Sequence, residues 1–254
     1  MFIRIQSKLK RFLLVGLTGF FFFLPRVDFT PILYAHPLEG IHHLLGKKDA
    51  VVIASPQGQT IFEINPDKNL IPASTLKIFT SLVALHYLGP DYRFPTEFYL
   101  SPDNHLKIKG YGDPLLISET LPDIAHKLSP LLSRYNDLEL DDAFFFNPIH
   151  VPGTSPTYQP YDAPNGALCV NFNTVNFKRS NHRYISAEKQ TPLLPFVAER
   201  IKASSLDYGR IILTHRNNES TLYAGHLFKY FLAQAGIESS GGIKIGRVQK
   251  EHDR

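Results

Sequence analysis

The chain is 254 residues long, 43% hydrophobic and 20% charged, ordinary proportions for a globular protein with material for one large domain or two small ones. Its formal charge of +4 is local. Residues 1–35 hold Arg4, Lys8, Lys10, Arg11 and Arg26 against Asp28, which leaves 22 basic and 22 acidic residues in the rest. A neutral body excludes the electrostatic footprint of a nucleic-acid binder. A single cysteine, Cys169, excludes an intrachain disulfide and reads as a small apolar residue.

The first 35 residues read as a signal peptide or membrane tether. A basic segment precedes the apolar run Phe12–Leu24, shorter than the roughly 20 residues that span a bilayer. Cleavage fits after Ala35, although Leu33 is large for its position. Both readings place the body in the periplasm or cell envelope.

Pro37–Lys48 is expected to be helical, with Leu38, Ile41, Leu44 and Leu45 on one side. Two apolar runs, Ala50–Ala54 and Thr60–Asn65, flank Ser55-Pro56-Gln57-Gly58 and predict a hairpin. The stretch Leu70–Pro90 then reads as a helix with one buried face. Pro72 suits its first turn, Leu76, Phe79, Leu82, Val83 and Leu88 recur at three- and four-residue spacing, and Gly89-Pro90 ends it. From Asp91 the runs Glu97–Leu100, His105–Ile108, Leu138–Phe146 and Arg210–Thr214 read as strands, with helices over Leu121–Tyr135 and Pro195–Ala203. Gly225–Ala235 returns to a helical pattern capped by Gly236. No metal or cofactor is expected: His42-His43 point apart on a helix, no H-E-x-x-H occurs, and no glycine pair precedes a phosphate-binding Lys-Ser/Thr.

Ser-x-x-Lys occurs three times, at Ser7–Lys10, Ser74–Lys77 and Ser186–Lys189, and only the middle pair opens a long amphipathic helix. Residues three apart on a helix are neighbours. A serine hydroxyl is a poor nucleophile until a base takes its proton, and a neutral lysine amine one turn away is such a base. Surface serines and lysines share helices routinely, so the spacing by itself leaves a plain surface pair as the alternative.

The surrounding words are more specific. Asn65-Pro66-Asp67, Ile71-Pro72-Ala73-Ser74-Thr75-Leu76-Lys77 and Leu88-Gly89-Pro90-Asp91-Tyr92-Arg93-Phe94 closely resemble the class C low-molecular-mass penicillin-binding proteins, exported D-alanyl-D-alanine carboxypeptidases and endopeptidases of the serine β-lactamase-like superfamily. Further segments keep that family's order. Gly110-Tyr111-Gly112-Asp113-Pro114 resembles its G-x-G-D-P, Leu140-Asp141-Asp142-Ala143-Phe144-Phe145 its L-D-x-S-x-F, and Tyr161–Val175 its Y-x-A-P-x-x-A-L-x-x-N-x-N-x-V.

The resemblance implies an α+β fold: a partial transpeptidase-like domain, helices on an antiparallel sheet, with a β-rich domain inserted. The implied division is 1–35 leader, 36–90 first part of the transpeptidase-like domain, 91–218 insertion, and 219–254 return to the first domain, truncated. It also implies that Ser74 is the acylated nucleophile and Lys77 its base. Asp141, with Asp142 next, is the positional match for an aspartate that binds the substrate's diamino acid. A turn aspartate is the plain alternative there, and Asp113 before Pro114 reads as structural. The implied partners are peptidoglycan stem peptides and, if the site is complete, β-lactams; no cofactor is implied.

One departure counts against a complete site. The family assembles S-x-x-K with a later S-x-N and a K-T-G. This sequence contains neither; Lys244-Ile245-Gly246 has the outline of the last but lacks its hydroxyl. A second chain supplying the missing half, a non-catalytic peptidoglycan- or partner-binding envelope protein, and a truncated or split-gene product stay open as alternatives to an enzyme.

Overall fold

The structure, a computed structural model, describes residues 3–6, 40–145, 149 and 151–253. Apart from Ile3–Gln6, a strand (β1), the expected leader lies outside the described residues, as does the start of the helix expected at Pro37. Two compact units emerge, Lys10–Tyr92 and a second comprising Met1–Leu9 with Arg93–Arg254.

In the first unit the described part of the expected Pro37–Lys48 helix, from Gly40 on, forms one short 3-10 turn, Gly40–Leu44. The hairpin forms as its alternation predicts. Val51–Ala54 (β2) and Thr60–Ile64 (β3) pair antiparallel with Val51 opposite Ile64. Ser55 N–H closes the turn onto the Gln59 carbonyl at 2.8 Å, and Gly58 takes the left-handed φ of 84° that the turn demands. A 3-10 turn, Ala73–Thr75, then leads into the helix Leu76–Leu88 (α1). Gly89, at φ 79°, ends α1 by donating to the Leu85 carbonyl. The apolar stripe expected to be buried is uncovered: Phe79 is 65% exposed and Leu82 61%.

The second unit is built on a five-stranded sheet of order β1–β4–β5–β7–β12. Its further strands are Pro95–Leu100 (β4), Leu106–Gly110 (β5), Leu138–Asp141 (β7) and Ile243–Ile245 (β12). The β1, β4 and β5 pairings are antiparallel, whereas β5, β7 and β12 run parallel. Period-two alternation sorts the two faces. Phe98, Ile108 and Leu140 lie in register on one face, all buried, with Leu106 and Leu138 beside them. The opposite face is a charge ladder in which Glu97, Lys109 and Asp141 are in register, as are Lys107, Glu139 and Lys244. Residues 247–253 cross this charged face. Lys107 pairs with Asp253 at 3.1 Å, Lys250 with Glu97 at 3.5 Å, and Val248 N–H donates to Asp141 at 3.0 Å.

Helices Leu121–Leu128 (α2) and Asn217–Gln234 (α4) cover the apolar face. The α4 backbone comes so close that a Cβ on Gly225 would lie 2.6 Å from Leu140 Cδ1 and 2.7 Å from Ile243 Cγ2, and Phe228 meets Phe98 at 5.8 Å between ring centroids. The expected helix over Leu121–Tyr135 is cut short, because Pro130 cannot continue it. Arg134–Tyr135 instead forms β6, parallel to Glu238–Ser239 (β11). Beyond Asp141 the expected strand breaks as Asp142 turns inward. Residues 219–254, expected to rejoin the first domain, lie in the same compact unit as 93–218 and share its core through Tyr223, Leu227 and Phe228.

The rest of this unit is a three-stranded antiparallel sheet of order β10–β8–β9, formed by Thr174–Ser180 (β8), Arg183–Ser186 (β9) and Tyr208–Ile212 (β10). Helix Pro195–Ser204 (α3) precedes β10 and buries Val197 and Ile201. No described helix is long and apolar enough to cross a membrane.

Candidate active site

Ser74 sits in the 3-10 turn that feeds α1, and Lys77 in the first turn of α1 itself. One turn of rise brings the Lys77 ammonium to 3.4 Å from Ser74 Oγ, within reach of a hydrogen bond. Two local features fix the approach. Ala73, directly before the serine, holds a left-handed φ of 46°, uncommon for a residue with a Cβ. Thr75 Oγ1 donates to the Pro72 carbonyl at 2.5 Å, while Leu76 N–H turns back to the Ala73 and Ser74 carbonyls. Ser74 and Lys77 are both exposed. The other described Ser-x-x-Lys serine differs in kind: Ser186 lies on β9 and donates to the Glu188 carbonyl.

Asp141 is placed in the other unit, at the end of β7, and is 2% exposed. Its carboxylate meets Lys109 at 3.3 Å and accepts backbone N–H groups of Ala143 at 3.1 Å and Val248 at 3.0 Å. Lys109 in turn stands over the Tyr111 ring at 5.7 Å. The outline of K-T-G is likewise committed elsewhere: Lys244 pairs with Asp137 at 2.6 Å and Glu139 at 3.7 Å, and the hydrogen bond to Asp137 raises its pKa.

The matched segments of the second unit converge on one knot of backbone. Gly110 leaves no room for a side chain, because a Cβ there would run into the Ala167 carbonyl and lie 2.6 Å from Leu168 Cα. Gly112 N–H donates to the same Ala167 carbonyl at 2.7 Å, and its open Cα abuts the Phe145 ring. Asp142 is buried and accepts from Leu168 N–H at 2.5 Å and Thr221 Oγ1 at 3.0 Å. Burial raises its pKa despite these donors. Asn171, Phe172 and Asn173 form a left-handed turn with φ of 50°, 57° and 53°. Such turns cost free energy unless they are held. Here Asn171 Oδ1 accepts from Ser118 N–H and its Nδ2 donates to Ser118 Oγ, both at 2.8 Å, and Asn173 Nδ2 donates to the Pro164 carbonyl at 2.7 Å. The recurring Gly, Asp and Asn positions thus fasten backbone to backbone. Cys169, in the same knot, has its thiol pushed up to about 12 by burial, which disfavours the reactive thiolate.

Sequence reasoning missed the saturation of Asp141, because two of its three donors are backbone groups, one of them 107 residues away. It also missed the left-handed turn, for which the paired asparagines were the available signal.

Known proteins bear on this arrangement. A D-alanyl-D-alanine carboxypeptidase from an Actinomadura species is 31% identical over 145 residues, covering 54% of this chain and 26% of that protein. A penicillin-sensitive carboxypeptidase A from Dictyostelium discoideum is 28% identical over 141 residues, covering 46% and 26%. The chain therefore matches about a quarter of the length of each relative. Penicillin binding protein 4 from Haemophilus influenzae shares the fold, with a TM-score of 0.57 at 19% identity over 84% of this chain and 57% of that one. Its complex with a β-lactam gives 0.51 at 18% identity, over 84% of this chain and 55% of that one. The family model that matches spans residues 38–205, well over half of the sequence, and by that match the chain belongs to the D-Ala-D-Ala carboxypeptidase 3 (S13) family.

Proposed function

We propose that the chain contributes the nucleophilic half of a serine acyl-transfer site acting on the D-Ala-D-Ala ends of peptidoglycan stem peptides in the cell envelope. The observation that carries this reading is the Ser74–Lys77 pair at 3.4 Å at the head of α1, within a chain of this family. Ser74 Oγ attacks the carbonyl carbon of the penultimate D-alanine while Lys77 takes the hydroxyl proton. The tetrahedral oxyanion collapses, the peptide C–N bond breaks, and the leaving amine of the terminal D-alanine takes that proton from Lys77. Water then adds to the Ser74 ester and releases the shortened peptide. A β-lactam would acylate the same oxygen by opening its ring.

Lysine takes up a proton only from its neutral amine, a state favoured by water exclusion and nearby positive charge. Exposed as α1 is, the pair needs covering, and residues 1–254 contain no S-x-N or K-T-G. We therefore assign both elements to further polypeptide, continuous with this chain or a second one, seated on this unit. For Asp141, contact with a substrate ammonium requires Val248 to release Oδ2, since Lys109 and two backbone N–H groups now hold the carboxylate.

Treating cells that make the protein from its native locus with a fluorescent penicillin tests the reading. A covalently labelled band that S74A removes supports it; a folded but unlabelled wild-type protein overturns it.

A further inference from the structure

The outer face of the three-stranded sheet carries charge that acyl transfer does not use. Strands β8 and β9 are joined by Asn181-His182, whose φ values of 47° and 62° are the pattern of a tight two-residue hairpin turn. On β8, Val175 and Phe177 are buried, so Asn176, Lys178 and Ser180 point to the other face. The register sets Tyr208 of β10 and Ile185 of β9 on either side of Lys178, and Arg183 opposite Ser180. Tyr208 is 78% exposed and Ile185 40%.

The basic residues of this sheet fall into two groups. Arg179 is paired with Asp207 at 3.0 Å, and Arg210 with Glu188. Lys178, His182 and Arg183 are exposed and have no ion-pair partner among the described residues. The hairpin therefore presents two permanent cations with no ion-pair partner among the described residues, beside an exposed tyrosine and isoleucine.

We propose that this face docks on an anionic phospholipid surface. Lys178 and Arg183 supply attraction to lipid phosphates, and Tyr208 has the apolar body and polar tip that settle at headgroup depth. A soluble polyanion would use the two cations equally well but gains nothing from leaving Tyr208 and Ile185 in water. The attraction is long-ranged only at low ionic strength, so docking weakens as salt rises.

The chain has no tryptophan, so Y208W places a single reporter on this face. Vesicles of phosphatidylglycerol and phosphatidylcholine in equal parts are expected to shift its emission to the blue, while pure phosphatidylcholine vesicles leave it unchanged. Binding through the apolar run Phe12–Leu24 needs no lipid charge, so the pure phosphatidylcholine vesicles control for it. Adding K178E and R183E is expected to weaken partitioning by about thirtyfold or more, given the worth of two basic side chains near an anionic leaflet. K178Q with R183Q, which removes charge without reversing it, should shift partitioning the same way. The proposal is overturned if anionic vesicles leave the emission unchanged, if folded charge variants partition as Y208W alone does, or if soluble polyphosphate produces the same blue shift.

Discussion

Lys77 donates to Ser74 Oγ at 3.4 Å from the next turn of the same helix segment. A base in that position must give up its own proton first, and this separates lysine from arginine. The guanidinium of K77R keeps the positive charge and the stem but does not deprotonate in proteins. K77R should therefore lose β-lactam acylation as completely as K77A, each by about 10²–10⁴-fold, the usual worth of a positioned base. Stopped-time labelling of the protein made from its native locus measures this. Near-normal acylation by K77R would show that the charge of Lys77, and not its basicity, matters.

Asp142 is a buried carboxyl group whose donors, Leu168 N–H and Thr221 Oγ1, come from distant parts of the chain. Burial raises its pKa above the ordinary 3.8, so the folded protein holds this proton more tightly than the unfolded chain does. Its protonation therefore favours folding at low pH, and that contribution is lost as the pH rises from about 3.8 through the raised folded value. D142N removes the titration, so its urea midpoint should show less of this decline than the wild type. D142A leaves buried donors unpaired and should cost about 1–3 kcal/mol near neutral pH.

Two glycines rank themselves by what a methyl group would meet. At Gly110 the obstacle is the 167–168 backbone, which has no rotamer to change. At Gly225 it is the ends of Leu140 and Ile243, which can shift, and alanine also favours helix by about 1 kcal/mol. G225A should cost no more than about 1–3 kcal/mol, and G110A more than that. Thermal unfolding of the two variants gives the order, and the reverse order would contradict the packing.

The exposed stripe of α1 makes a contrasting prediction. Phe79 and Leu82 leave little water behind on folding of this chain, so F79S and L82S should change its stability by no more than about 0.5 kcal/mol. L140A, at a position with no exposure, should cost about 2–5 kcal/mol. A large loss in F79S would mean that the stripe is covered in solution.

The contrast also shows what the sequence discloses. Periodicity located the β2–β3 hairpin, α3 and the end of α1 to within a residue or two, because each has its own punctuation: Gly58, Pro195, Gly89. The start of α1 falls at Leu76, later than Pro72 suggests, because Ala73–Thr75 forms a 3-10 turn first. It could not say whether the stripe of α1 is covered, since that depends on polypeptide far away. The hairpin of β8 and β9 went unread because Lys178, Arg179 and Arg183 interrupt the apolar runs, although Asn181-His182 marks its turn. The helix α4 begins eight residues before the expected Gly225, because Ser220, Thr221 and their polar neighbours hide its first turns. The parallel pairing of β7 with β12 sets Leu138 beside Ile243, far along the chain, and no local signal encodes it. That Ser74 and Lys77 are neighbours was legible because one turn of helix sets their distance. Asp141 was legible as a position but not as an environment, which Lys109 and Val248 create from other strands and loops.

The central claim is that Ser74 is the acylated atom's residue. Cleavage after Lys68 and Lys77 isolates Asn69–Lys77, a peptide in which Ser74 is the only serine. Mass spectrometry of the penicillin-treated protein from its native locus should find the whole antibiotic added to this peptide, on Ser74, and nothing there in S74A. An adduct confined to another serine, Ser186 above all, would contradict the account.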